Sequence, residues 1–374
     1  MRVLILVDEF FASRERSMLA RLEIGLADEG VRVIHAVPDS ELNRPNMLGV
    51  FRSMVPYSRR VLTVTRGLAA RRIVRDLAKL DDAEKPEPID IVHVFGGSVW
   101  ALADRLAAAL GAVCALEVWR SGLVDKAVRM STHATKRSAT GRSGAVFFAP
   151  DSAIEGALQR GSVSVRPTYW GVHASDPPRD VALPGRAPSA MFIGSGRRVK
   201  QFQAAFEGIA SAFQRNGDGL IFVDALAARR AGIWAIAERL GVLDRLSLIE
   251  ELESRRDLLL QGDFLVQPEP AGEHKSVVLD AMSSGMLVVS APDRFVSSLI
   301  DSRTASLVTD PSPAAWGATI DRLLVRPQER HAVAASAHQY IRTQRPASAH
   351  IRAVLDAYAW MSAAGSLPFP VKSN

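Results

Sequence analysis

At 374 residues the chain exceeds what one ordinary hydrophobic core organises and suits two α/β domains. Its 48% apolar and 23% charged residues belong to a globular protein and exclude a disordered one. The formal net charge of +6 draws attention to anionic partners, while the single cysteine, Cys114, excludes an internal disulfide and argues against a structural zinc site.

The chain opens Met1-Arg2-Val3-Leu4-Ile5-Leu6-Val7 and then meets Asp8 and Glu9. That apolar run is too short for a secretory signal and predicts a buried first strand. Short apolar runs then alternate with helical patterns, the mark of parallel sheets covered on both faces. Strands are predicted over 3–7, 31–37, 89–95, 112–118 and 145–149, with helices over 13–29 and 98–110. A basic stretch carries Arg52, Arg59, Arg60, Arg66, Arg71, Arg72, Arg75 and Lys79 against Asp76 alone. Arg72, Arg75 and Lys79 share one helical face and Ile73, Leu77 and Leu80 another, so the segment is either a solvated face beside a core stripe or a surface for an anionic membrane or acidic substrate. Nucleic acid is disfavoured, because only Phe51 and Tyr57 offer stacking and no binding motif occurs. Asp81-Asp82-Ala83-Glu84, followed by Lys85-Pro86-Glu87-Pro88, reads as a solvated loop rather than a metal cluster.

A proline-dense stretch at 176–188 continues neither helix nor strand. The division it implies is an N-terminal domain over 1–175, a linker over 176–188, a C-terminal domain over 189–345 and a C-terminal helix and tail over 346–374. In the second half strands are predicted over 190–194, 220–224, 246–249, 264–268, 287–291 and 305–308. Helices are expected to begin near Lys200, Leu226, Arg255, Ser276 and Pro313, with a final helical region over 328–363. No stretch has the apolar length to cross a bilayer, so a cytoplasmic protein is expected, peripheral on the inner membrane face if the basic stretch docks there.

Two loops bunch polar residues where a helix begins. In Pro268-Glu269-Pro270-Ala271-Gly272-Glu273-His274-Lys275-Ser276-Val277-Val278-Leu279-Asp280 a strand end passes through a charged loop into a short helix. A helix start offers unpaired N–H groups and partial positive charge, so a phosphate can dock at His274-Lys275-Ser276-Val277, with Ser276 as the cap and Asp280 one turn along for hydroxyl groups. An ordinary crossover with a polar loop is the plain alternative. In the other loop, Gly194-Ser195-Gly196-Arg197-Arg198-Val199-Lys200, three cations oppose the helix dipole, which favours an anionic ligand over a merely solvated first turn. No Gly-x-Gly-x-x-Gly follows the first strand, and neither a Walker lysine motif nor a Gly-x-Ser-x-Gly elbow occurs.

The order of acidic loop, Val/Leu helix, Leu279-Asp280-Ala281-Met282, Gly285 and apolar strand resembles the donor-site signature of family 4 glycosyltransferases, retaining sugar transferases of the GT-B fold. Asp90-Ile91-Val92-His93-Val94 and Trp170-Gly171-Val172-His173 resemble further family segments, so the likeness spans nearly the whole chain. The resemblance implies two tandem doubly wound, Rossmann-like domains with donor and acceptor in the cleft between them. It implies that Lys200 with Arg197 or Arg198 clamps the diphosphate beside Gly194 and Ser195, that Asp280 takes the ribose hydroxyls, that Glu273 stands near the transferred sugar and that Glu117 faces the acceptor. No metal or other cofactor is implied beyond the nucleotide diphosphate sugar itself. The sequence departs from the family at Gly272, where the first signature glutamate belongs, at Ser195, where an arginine belongs, and at Phe10-Phe11-Ala12-Ser13, where a glycine loop belongs. His93, on an apolar strand, reads as a satisfied core histidine. The expected function is sugar transfer with retention to an unidentified glycan, lipid or small-molecule acceptor. The rival is a non-catalytic GT-B relative serving as a binding or scaffolding subunit, and a GT-B epimerase ranks below both.

Overall fold

The computed structural model describes residues 1–42, 53–58, 65–82, 84, 87–137, 145–175, 177–182, 185–217 and 219–364. Phe51, Arg52, Arg59 and Arg60 lie outside the described residues. The chain forms two compact units, Met1–Tyr169 with Ser348–Asn374, and Trp170–Ala347.

The first unit is built on strands β1 (Arg2–Val7), β2 (Arg32–Pro38), β3 (Met54–Tyr57), β4 (Ile91–Phe95), β5 (Val113–Glu117), β6 (Val146–Ala149) and β7 (Val165–Pro167). They pair in parallel in the order β3-β2-β1-β4-β5-β6-β7. All six residues of β1 are buried, which is why its run is continuously apolar after Arg2. The five predicted strands are present; β3 and β7, which the sequence reading left out, are short edge strands containing Pro56 and Pro167. The helix expected over 13–29 is two helices, Glu9–Arg14 and Arg16–Asp28, the first capped by Asp8, whose carboxylate accepts from Phe11 N. The final helix, Ala347–Ala364, belongs largely to this unit: the Tyr358 hydroxyl lies 2.7 Å from His93 Nδ1 on β4.

The reading of residues 81–84 as a solvated loop is corrected at Asp81. Its carboxylate, 1% exposed, pairs with Arg2 at 2.5 Å and accepts from Glu87 N at 2.9 Å. The Arg2 hydrogen bonds hold this carboxyl below the ordinary aspartate range.

The second unit holds β8 (Ser189–Phe192), β9 (Leu220–Asp224), β10 (Leu246–Ile249), β11 (Phe264–Gln267), β12 (Leu287–Ser290) and β13 (Ser306–Leu307). These strands pair in parallel in the order β10-β9-β8-β11-β12-β13. Helix Val199–Arg215 covers the sheet with Phe202, Phe206 and Phe213, which share one face and are buried against Phe192 and Phe264. Each such ring removed from water contributes roughly 1.5–3 kcal/mol. Gly208 lets this helix approach helix Pro313–Val325 closely, since a Cβ there would meet Pro313 O at 2.2 Å.

Residues 177–182, assigned by the sequence reading to a linker, dock on the second unit. Arg179 N donates to Ser284 O at 2.9 Å and Ala182 N to Asp263 Oδ1 at 2.7 Å, and a Cβ on Gly285 would strike Arg179 O at 2.6 Å. Residues 177–182 therefore pack on the second unit, and the passage between units falls at Tyr169–Trp170. Both sheets are doubly wound, with the order reversing between β1 and β4 in one and between β8 and β11 in the other. Such a reversal opens a crevice at the carboxyl ends of the strands, where ligands of open α/β sheets bind.

Candidate functional site

In the second unit the two loops singled out in the sequence flank that reversal. Ile193 N donates to Val266 O at 3.0 Å, fixing the exit of β8 against β11, and the chain then passes through Gly194 and Gly196 at φ 147° and 67°. These angles and the lack of room demand glycine: a Cβ on Gly194 would sit 2.7 Å from Glu269 Oε2, and one on Gly196 2.3 Å from Ala227 O.

The carboxylate between the loops is Glu269, which the sequence reading did not single out. It is 3% exposed and accepts from the backbone N–H groups of Ser195, Gly196 and Arg198 at 2.6, 3.0 and 2.7 Å. The Ser195 hydroxyl adds a contact at 3.2 Å, and Arg230 holds Ser195 O at 3.0 Å from the other side. Helix Val199–Arg215 has no side-chain cap from its own N-cap residue, Arg198, so Glu269 supplies from a distance the acceptor its start lacks. Arg197, Arg198 and Lys200 are exposed, and their side chains form no ion pair with any described residue.

The second loop runs from β11 to helix Ser276–Ser283. Gly272 sits at φ 65° with its N–H on Asp293 Oδ2 at 2.6 Å, and Glu273 follows half-buried. His274, 1% exposed, lies against Trp170 with ring centroids 5.1 Å apart. The helix is buried along all eight residues, Val277 included. The expectation that Ser276 caps it is corrected: the N-cap is Lys275, without a side-chain cap bond, because the Ser276 hydroxyl accepts from Arg256 at 3.0 Å.

Burial dictates the charge arrangement around this helix. Lys275 Nζ lies 3.0 Å from Glu253 Oε1, their side chains 6% and 4% exposed, and Asp280 Oδ2 lies 3.1 Å from Arg256 Nε. Arg256 also donates to Glu253 O. The charges of Lys275 and Asp280 are thus balanced from within, as buried charges must be. No spacing rule reveals either partner, since both lie on the segment 252–259 before β11.

In the first unit Glu117 is 1% exposed at the end of β5, 3.3 Å from His93 Nε2. The network closes with the Tyr358 hydroxyl donating to Nδ1 and Nε2–H donating to Glu117. Burial, then the Glu117 charge, push the Tyr358 hydroxyl well above its ordinary range, so it stays a neutral donor. His93 is the satisfied core histidine that the sequence predicted; Glu117, expected to face an acceptor, is turned inward onto it. At this unit's reversal Asp8 joins the β1 and β4 loops, accepting from Phe11 N and the Ser98 hydroxyl, both at 2.9 Å. Gly96, φ 110°, leaves room for that carboxylate, which replaces the absent glycine loop as the organiser of the β1 exit.

No protein-family model and no curated protein matches the sequence. The fold is similar to that of sucrose-phosphate synthase from Thermosynechococcus elongatus, with 14% identity, TM-score 0.68, and 97% of this chain and 100% of that one covered. It is similar to a glycosyltransferase from Rickettsia africae, with 11% identity, TM-score 0.71, and 96% and 98% covered. It is also similar to HepE of Anabaena, solved with UDP and glucose, with 11% identity, TM-score 0.68, and 96% and 100% covered. Two doubly wound parallel sheets in tandem, aligned over nearly their full length with these proteins, give this chain the GT-B fold.

Proposed function

We propose that the chain is a glycosyltransferase of the family 4 kind that moves a sugar, with retention, from a nucleotide diphosphate sugar to an acceptor. The observation that carries this reading is the exposed set Arg197, Arg198 and Lys200 at the first turn of helix Val199–Arg215, beside the strand reversal of a GT-B unit. The Glu269 carboxylate offsets part of the helix dipole there, and the three side chains still present their charge to solvent, where an arriving anion gains from it. UDP and glucose in the HepE structure fit the same assignment.

Negative charge grows on the departing diphosphate in the transition state, and the guanidinium and ammonium groups of this set would stabilise it there. The reading needs no metal for that task. The start of helix Ser276–Ser283 gives a second phosphate contact through its backbone, with Lys275 held back by Glu253. Asp280 takes the ribose hydroxyls with the capacity that Arg256 leaves it, and Glu273, brought round by the left-handed Gly272, stands near the transferred sugar. Glu117 supports the acceptor-side unit through His93 rather than touching the acceptor.

We further propose a peripheral seat on an anionic membrane for the first unit. Helix Arg66–Leu80 turns Leu68, Arg71, Arg72, Arg75 and Lys79 outward, and the one acid in it, Asp76, is tied to Lys79 at 2.9 Å. Among the described residues no helix is long and apolar enough to cross a membrane.

A thermal-shift panel of uridine, guanosine, adenosine and thymidine diphosphate sugars tests the donor assignment. One nucleotide class should raise the melting point; at a hundredfold excess over Kd the gain is about 2.7 kcal/mol. Silence across the panel contradicts it.

A further inference from the structure

Glu269 belongs neither to the signature residues nor to the cation set, yet both loops of the donor site are built around it. We propose that Glu269 is a positioning residue of the donor site. It acts as an internal anion that fills the amide cradle before helix Val199–Arg215 and holds the 194–198 loop, so that a donor diphosphate is met there by the side chains of Arg197, Arg198 and Lys200 rather than by backbone N–H groups. The proposal rests on the donor reading above.

Consecutive amides at a helix start form a concave anion site, and in many nucleotide-binding proteins the phosphate itself occupies it. In this chain that place is taken: the N–H groups of Ser195, Gly196 and Arg198 all end on one carboxylate that is 3% exposed. The loop is shaped to the carboxylate, since a Cβ on Gly194 would lie 2.7 Å from its Oε2. The carboxylate is equally committed to the loop. Pro268 and Pro270 flank it and stiffen the backbone, and Ala271 N closes a turn on Glu269 O at 2.9 Å. A ligand phosphate displacing Glu269 would break three charge-assisted bonds and strand a buried carboxylate, so diphosphate and Glu269 act together rather than compete. The carboxylate also offsets the positive helix end, which leaves the neighbouring cations less opposed.

The assignment predicts a sign opposite to simple electrostatics. Removing a carboxylate near a phosphate site should tighten binding by relieving repulsion; removing the group that holds the phosphate-binding loop should weaken it. The experiment compares wild type, Glu269→Ala and Glu269→Gln in two arms. Limited trypsin digestion without ligand reads cleavage after Arg197 and Arg198, which follows opening of the loop. Calorimetry with UDP, GDP, ADP and dTDP reads affinity. We expect Glu269→Ala to be cut at least tenfold faster at these arginines and to bind the preferred diphosphate at least tenfold more weakly. Glu269→Gln, which keeps the shape and one acceptor oxygen, should fall between; it carries the test alone if the alanine variant does not fold. Unchanged cleavage overturns the clamp. Faster cleavage with equal or tighter nucleotide binding overturns the positioning role and makes Glu269 a plug. A wild type that binds none of the four diphosphates overturns the donor role together with the reading it rests on, while the trypsin arm still decides the clamp.

Discussion

Lys275→Met tests whether the lysine of the signature serves the ligand or the fold. The structure places its ammonium 3.0 Å from Glu253, with both side chains nearly inaccessible, so the variant removes the lysine counter-charge from a buried carboxylate. Breaking one side of a buried pair typically costs about 3–5 kcal/mol. Glu253 has further contacts, so the expected loss is at the lower end of that range, about 3 kcal/mol. Urea unfolding of wild type and variant at pH 7 measures it. Stability equal to within about 0.5 kcal/mol would refute the buried pair and return Lys275 to the ligand.

Asp280→Asn should lower stability, because Arg256 loses its counter-charge at 3.1 Å, and should also weaken binding of a bare nucleoside diphosphate; unchanged nucleotide affinity would confine Asp280 to the fold. Glu273→Gln should leave nucleotide affinity nearly intact and depress turnover, the pattern of an interaction made mainly in the transition state; an active enzyme whose rate is untouched would remove Glu273 from the mechanism. Reversing Arg71, Arg72 and Arg75 to Glu should abolish pelleting with anionic vesicles at low salt, each near-surface cation being worth about 1 kcal/mol, and equal pelleting with neutral vesicles would refute the membrane seat.

The fold was legible because its rules are local. Continuous apolar runs such as 3–7 and 287–289 read as strands covered on both faces, and parallel pairing follows from their alternation with helices. The β3 and β7 edges escaped because Met54–Tyr57 and Val165–Pro167 are short, part-exposed and interrupted by proline. The loop cations were legible too, since charge against a helix dipole is written in sequence. What was not legible is which charges were already matched. Lys275 and Asp280 look available in the signature, but their partners, Glu253 and Arg256, stand more than twenty residues away on a segment with no motif. Glu269 reads as one more loop acid until the fold brings its carboxylate to amides that precede it by 71 to 74 residues. Its one trace in the sequence is position: an acid between two prolines at the exit of an apolar strand, in a chain whose other loop has two glycines and no acid of its own.

On the proposed function, the exposed cations at the start of helix Val199–Arg215 receive a nucleotide diphosphate. Calorimetric titration of UDP, GDP, ADP and dTDP into wild type and Lys200→Ala decides this, because the side chain is exposed and its loss should leave the melting point unchanged. A charge-assisted contact contributes about 1.5–3 kcal/mol, so affinity for the preferred diphosphate should fall about 10- to 150-fold in the variant. Equal affinity in the two proteins, or no binding by the wild type, would contradict it.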